Sequence, residues 1–502
     1  MAISFNGVPN AWRVPGYVAE FDASQAQQGA GVIEYKALIL GQMLDGTATP
    51  LKPYLITSLA QAENLFGQSS QIALMLAAWL ENNTTTPLMA MAVTDDAAGV
   101  PATAMISLSG AVSRAVPVNL YIGGLNVRVA ASLGQTALEL AQAAESAING
   151  DATLPVRAVA TTVPSSDEDE PGHAATLTLT AKNTGEAGNE LDLRLAYYGE
   201  DLPQGIPWQL GKFSGGAGNP NSDELIAALG DTWYHIIVLP WTDTANLRAW
   251  ETELVRRFGP MVGMDGVAFC ARSGSLGELT AFGSVDAGGG NYAHISIIES
   301  SGSPEMPACR AARVAAKVAY YGAIDPARPF QTLELAGALA PADAEQLTAE
   351  ERNILLYAGI ATTKVNDGGA VQIERIISNY QRANTGASDT AYLDVNTLLT
   401  LMYLRWSWVN RLARKYPRHK LMDDGNPIPA GQAVMTPKLG RAEAVAAFME
   451  WQDLGLVENL EQFKKDLVVE RNSLDPNRMD MLMPPDLVNQ LRFWPTVIQF
   501  RL

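Results

Sequence analysis

Apolar positions along the chain change period several times, and each change marks a different segment. Tyr35-Lys-Ala-Leu-Ile-Leu40 and Leu88-Met-Ala-Met-Ala-Val93 are short, nearly continuous apolar runs, the pattern of interior strands. Between them, Ser58–Phe66 predicts a helix that stops at Gly67. Gln71–Glu81 is apolar nearly all round and predicts a second, buried helix. Strands and helices alternating in this way predict βαβ-like material in a mixed or parallel sheet.

From Asp95 the texture becomes β-rich. Strands are expected near Ala104–Leu108, Val116–Ile122 and Asn126–Ala131, followed by a helix at Gln135–Asn149. Three further strands are expected near Val156–Thr161, Ala175–Ala181 and Leu191–Tyr197, with the acidic loop Asp167-Glu-Asp-Glu170 at one tip. This reads as a module inserted into the surrounding domain, with Phe213–Pro220 as the Gly-rich hinge back.

The αβ alternation then resumes. It comprises a helix at Ser222–Leu229, a strand at His235–Leu239, a helix at Thr244–Phe258 and strands at Gly266–Cys270 and Tyr292–Ile298. A helix at Pro307–Tyr321 closes this part. The last segment holds Val371–Tyr380, a long helix Asp394–Tyr416, a helix Arg441–Leu454 and a strand Leu467–Arg471. No repeat of fixed period occurs.

Both ends alternate with the period of a strand that has one buried face. At the start, Tyr17, Ala19 and Phe21 alternate with Val18 and Glu20, ahead of a small, polar tether, Asp22–Gly31. At the finish, within Thr496–Leu502, Ile498, Phe500 and Leu502 alternate with Val497, Gln499 and Arg501. A strand on a tether has backbone groups that need partners, either on its own domain or on a neighbour's sheet. Donation to a neighbour is β-augmentation. Five or six such bonds contribute about 5 kcal/mol before ordering costs, so one arm is a weak tie and two per subunit make a strong mesh.

Composition narrows the function. The 502 residues leave room for two to four domains, and 47% hydrophobic with 18% charged residues is ordinary globular usage. A formal net charge of −18 argues against nucleic-acid binding, which needs a basic surface, and keeps free subunits apart at high concentration. No apolar run reaches the ~18 residues of a membrane helix, so no membrane insertion is expected. The N-terminus lacks a basic n-region followed by an apolar run, and folding in a cytoplasm is expected. The 2 cysteines, Cys270 and Cys309, read as reduced thiols rather than a disulfide framework.

The chain carries few residue patterns that imply chemistry. The 4 histidines, His173, His235, His294 and His419, have no metal-ligand spacing, and His235 sits inside an apolar strand. The glycine clusters Gly211–Gly218 and Gly283–Gly290 match neither a P-loop nor a dinucleotide fingerprint, and read as loops. No catalytic or metal residues, and no cofactor, are expected. One basic feature stands out: Arg405, Arg411, Arg414, Lys415, Arg418 and Lys420 follow Asp394 with no further acid among them. Arg411, Arg414, Lys415 and Arg418 cluster at the end of the predicted helix. They serve either as helix-dipole complement on a solvated face or as a contact to an acidic surface.

Several stretches, in order, resemble the tail sheath proteins of contractile phages, most closely those of Mu-like myophages. They are Val14-Pro-Gly-Tyr-Val-Ala-Glu-Phe21, Pro53–Gly67 and Gly230–Pro240. Further on come Ile373–Tyr380, Tyr392–Leu401, and Gly455–Asn459 through Val469–Arg471. The resemblance implies a mixed α/β (α+β), multidomain fold with a tube-facing C-terminal domain and outward inserted domains. On the residue reading this gives an N-terminal arm and tether at 1–31, a central α/β domain at 32–94 plus 216–349, and an outward β-rich insertion at 95–215. A tube-facing domain at 350–490 and a C-terminal arm at 491–502 complete it. The resemblance further implies a homo-oligomer of sixfold rings stacked helically, with tail tube, baseplate and tail terminator proteins as partners. Its contraction would drive the tube through a host envelope, from a virion tail assembled in the host bacterial cytoplasm. The sheath of a tail-like bacteriocin or of a prophage-derived injection system is the alternative within the same resemblance.

Overall fold

The computed structural model describes residues 33–163, 174–428 and 431–501. The expected arm Tyr17–Phe21, the tether Asp22–Gly31 and the acidic loop Asp167–Glu170 lie outside the described residues. The chain divides into two compact units, one from Glu34 to Arg405 joined by residues 489–501, and one from Trp406 to Val488.

The first unit opens with β1 (Ala37–Gln42), β2 (Tyr54–Ile56), α1 (Leu59–Phe66), α2 (Gln71–Leu80) and β3 (Leu88–Val93). β1 is buried along its whole length, as its unbroken apolar run predicts, and pairs in parallel with β3. The Ser58 hydroxyl accepts from the Gln61 N–H to start α1, and Gly67, at φ 86°, ends it in a conformation that suits glycine. α2 has Trp79, Leu76, Met75 and Ile72 fully buried, so its all-round apolar character reflects burial on most sides.

The β-rich segment contains β4 (Pro101–Ser109), β5 (Val118–Ile122), β6 (Leu125–Val129), α3 (Ala137–Gly150), β7 (Val156–Thr162), β8 (Ala174–Thr184), β9 (Leu193–Leu195) and β10 (Trp208–Leu210). It forms an antiparallel sheet in the order β10-β4-β8-β7 and a smaller one in the order β6-β5-β9. Along β4, Ala102, Ala104, Ile106 and Leu108 are buried while Thr103, Met105, Ser107 and Ser109 face water. α3 begins at a reciprocal Thr136–Glu139 capping box and buries Leu140, Ala141, Ala144 and Ile148 in the same core.

The chain then returns with α4 (Asp223–Ala228), β11 (Ile236–Val238), α5 (Thr244–Phe258), β12 (Val267–Arg272), α6 (Leu276–Gly283), β13 (Ile295–Glu299), α7 (Pro307–Ile324), α8 (Ala349–Tyr357), β14 (Ile360–Val365) and β15 (Val371–Arg375). These complete an eight-stranded sheet in the order β15-β14-β13-β12-β11-β1-β3-β2. Its inner strands are parallel, and β2 and β15 close its two edges antiparallel. α7 carries Ala311, Ala312, Ala315, Ala316 and Ala319, all buried, and their small side chains let it lie close to α2 and the sheet. It also buries Arg310 and Arg313, both bonded to Glu305, so these charges enter the interior paired.

The expected boundary after residue 349 falls within this unit. β14 pairs with β13, β15 closes the edge, and the compact unit runs on to Arg405. A long helix, α9 (Val395–Lys415), continues the chain into the second unit. That unit adds β16 (Lys420–Leu421), β17 (Val434–Met435), α10 (Pro437–Asp453), β18 (Val457–Glu458), α11 (Leu460–Asp466), β19 (Val468–Arg471), β20 (Met479–Leu482) and β21 (Asp486–Leu487). Its core is built on α10, where Phe448 stacks on Phe463 at 4.3 Å between ring centroids. β19 and β20 form a separate two-stranded antiparallel sheet.

Candidate functional site

The C-terminal segment is the most unusual surface of the first unit. From residue 489 to 501 it takes part in no helix or ladder among the described residues. Phe493, Trp494, Val497, Ile498 and Phe500 are between 77% and 86% exposed. Large apolar side chains exposed together in one short segment are costly to leave in water, and such a patch marks a surface that meets a partner. Thr496, Gln499 and Arg501 are exposed between them, and Leu502 lies outside the described residues. The segment is held at its root, where Arg492 donates to Asp394 Oδ1 at 2.9 Å.

The basic end of α9 is less free than its sequence suggests. Arg411 donates to Glu443 and, at 2.6 Å, to Glu450, both on α10. Lys415 Nζ lies 2.8 Å from the same Glu443, whose second oxygen accepts from the Tyr416 hydroxyl. Burial would raise the Glu443 carboxyl, but bonds from Lys415, Tyr416 and Arg411 together hold it below the usual carboxylate range. Burial, reinforced by Glu443, pushes the Tyr416 phenol up to about 12. Arg411 and Lys415 are therefore neutralised within their own unit. Arg414 and Arg418 are exposed with no ion pair among the described residues, so they carry the open positive charge here.

The places where chemistry would be sought are occupied by structural contacts. His235 lies between the rings of Tyr35 and Trp233, with centroids 5.1 and 4.5 Å away, and its Nδ1 accepts from the Lys36 N–H. Burial holds its pKa down at about 4. Burial also pushes the Cys309 thiol up to about 12, and the Cys270 thiol well above its ordinary value. Among the described residues no cluster of His, Cys, Asp or Glu has the arrangement of a metal site.

In open α/β sheets ligands enter beyond the carboxyl ends of the strands, where the strand order reverses. Here that point lies between β1 and β11, and the chain's own side chains fill it. Gln42, fully buried at the end of β1, donates to Asp95 Oδ1 and to the Thr184 carbonyl, both at 2.8 Å. Asp95 also accepts from Asn183 Nδ2 and the Thr184 N–H, so the end of β8 is tied to the crevice.

Two family models match the chain: the phage tail sheath protein central domain over residues 215–378, and the phage tail sheath C-terminal domain over residues 387–501. Over all 502 residues it is 38% identical to the Mu-like prophage FluMu tail sheath protein of Haemophilus influenzae, covering 100% of both chains. The chain belongs to the phage tail sheath protein family. Solved structures similar to it include the sheath tail protein of Desulfitobacterium hafniense, at 13% identity and TM-score 0.47, covering 94% of this chain and 100% of that one. The sheath tail protein of Listeria innocua is 12% identical at TM-score 0.48, covering 92% of this chain and 94% of that one.

A tail sheath protein of the Mu-like type is a structural protein. Sequence reasoning singled out the terminal alternation and the basic helix end. It missed Glu443 and Glu450 as the partners of Arg411, and Asp394 as the partner of Arg492. Neither pairing leaves a short-range signal, because the partners are 32, 39 and 98 residues apart.

Proposed function

We propose that this chain is the repeating subunit of a contractile sheath, built of sixfold rings stacked helically around a tail tube. Shortening of that sheath drives the tube through a host envelope. The observation that carries the polymer reading is the C-terminal segment, apolar on alternate residues, exposed, and without a strand partner among the described residues. Such a segment is stabilised by adding to another chain's sheet. The β19–β20 sheet, with only two strands, has an unpaired outer edge on each among the described residues and is the proposed acceptor.

The proposed working parts follow the sequence divisions. Residues 1–31, with Tyr17–Phe21, and residues 491–502, with Thr496–Leu502, act as arms between subunits. Residues 95–215 face outward, and of the expected C-terminal part, 350–490, it is the second compact unit, Trp406–Val488, that lines the tube. Arg414 and Arg418 meet an acidic surface of the tube or of the next ring, a weak and salt-screened contact that can break in concert. Tail tube, baseplate and tail terminator proteins are the partners, and assembly takes place in the host bacterial cytoplasm.

Electron microscopy of the purified protein at high concentration tests this reading. Ribbed hollow tubes are expected. Monodisperse monomers under all conditions of salt and concentration count against it.

A further inference from the structure

We propose that Asp394 is the pivot of the C-terminal arm: a positioning residue that fixes where the arm leaves the subunit, and so where it reaches a second copy of this chain. The inference rests on the arm reading above and adds to it the residue that aims the arm.

Three elements converge on one carboxylate. Arg375, the last residue of β15, approaches Asp394 with Nε on Oδ1 and Nη2 on Oδ2, each at 3.2 Å. Arg492, at the root of the arm, donates Nη2 to Oδ1 at 2.9 Å. Asp394 itself stands immediately before α9, and its carbonyl accepts the Thr397 N–H at 3.0 Å. An acid at the start of a 21-residue helix is favoured by the helix dipole, so the carboxylate is held in place before the arm reaches it.

The clamp is partly sheltered. The side chains of Asp394 and Arg492 are 23% and 18% exposed, where an ion pair is screened less than on an open surface. Immediately beyond it the arm changes character: Phe493 is 83% and Trp494 77% exposed. The boundary between held and unheld chain thus falls at Arg492. Fixing the root of a short arm confines the volume its tip can sample, which raises the effective concentration of the strand at a neighbour's sheet edge. An arm released at Arg492 would pivot from an earlier point in the chain and dilute that strand.

The test compares Asp394→Asn, Asp394→Glu and Arg492→Ala with the parent, beside a chain lacking residues 496–502. Circular dichroism and melting are measured on the dispersed protein, and tube formation is followed against concentration by light scattering and electron microscopy. Asp394→Asn and Arg492→Ala are expected to melt within a few degrees of the parent yet to need about tenfold more protein to form tubes, and Asp394→Glu to restore most of the difference. Arg492→Ala leaves the start of α9 untouched, so it decides the matter where Asp394→Asn disturbs folding. Normal assembly by Arg492→Ala while the truncated chain fails overturns the pivot and leaves the arm reading standing. Normal tubes from the truncated chain overturn the arm reading itself, and the pivot with it.

Discussion

At the scale of residues, a half-buried carboxyl and a buried imidazole titrate in opposite directions, and each makes a prediction about pH. Loss of solvent around Glu190 outweighs the favourable influence of Arg272 and of the Ser273 backbone, and raises its pKa to about 7. A carboxyl that holds its proton more tightly when folded stabilises the protein below its unfolded pKa, and loses that contribution as pH rises from about 4.5 to 7. Glu190→Gln should remove this fall, so that melting temperature is flatter across pH 5 to 7.5 than in the parent. An unchanged slope would mean that Glu190 is solvated. His235 has the opposite sign. Its folded pKa of about 4 lies below the unfolded value, so its contribution is present above about pH 6.5 and is lost as pH falls towards 4. Full protonation of that site costs on the order of 3 kcal/mol. His235→Gln, which keeps an acceptor for the Lys36 N–H, should lessen the acid destabilisation measured by denaturant titration at pH 7 and pH 4.5.

At the scale of elements, the arm and the basic helix end make separable predictions. Residues 496–501 form no ladder among the described residues, so deleting 496–502 should leave melting temperature and helix content unchanged while abolishing tubes. Polysheath of normal length from the truncated chain would show that the segment is dispensable. At the end of α9, reversal of Arg411 would put a carboxylate beside Glu443 and Glu450, so a folding defect is expected there whatever the surface does. Arg414→Glu with Arg418→Glu is the cleaner probe. Both side chains are exposed, so stability should change by less than about 0.5 kcal/mol while assembly on a purified tube is impaired. Unimpaired assembly on the tube returns the pair to the role of a solvated helix end. Elements also differ in how visible their starts were. Ser275-Leu-Gly-Glu278 and Thr348-Ala-Glu-Glu351 open α6 and α8 with reciprocal capping boxes, a pattern readable in sequence that periodicity over such short helices does not reveal.

At the scale of the whole molecule, charge is unevenly divided. Residues 406–488 hold eleven Lys and Arg against twelve Asp and Glu, leaving 24 against 41 for the rest of the chain. Almost all of the net −18 therefore lies outside the second compact unit. Like-charged bodies resist close packing, and salt relieves the repulsion, whereas a contact between Arg414, Arg418 and an acidic surface weakens with salt. Two opposite responses to ionic strength are expected. Tubes of the sheath protein alone should form at lower protein concentration as salt rises from 50 to 300 mM, because the Debye length falls from about 14 Å to about 6 Å and screens the repulsion. Extended sheath on its tube should loosen over the same range. Sedimentation of both assemblies across that range measures each slope, and parallel slopes would remove the electrostatic account.

What the sequence by itself determined is what local chemistry determines. The unbroken apolar runs at Leu38–Leu40 and Leu88–Val93 specified buried parallel strands. The alternation along β4 specified a sheet with one wet face, and Thr244–Phe258 was readable as a helix to the residue. Composition and the missing constellations pointed away from chemistry, and the ordered family segments pointed to a tail sheath protein. The tertiary structure decided what depends on distant partners. It placed β14 and β15 in the main sheet rather than beyond it, because a strand joins the edge that its backbone can reach, and periodicity carries no record of that edge. It neutralised Arg411 with acids 32 and 39 residues away, and paired Arg492 with Asp394, 98 residues away. Ion pairs form wherever folding brings opposite charges within a few ångströms, so no local pattern in the chain announces them.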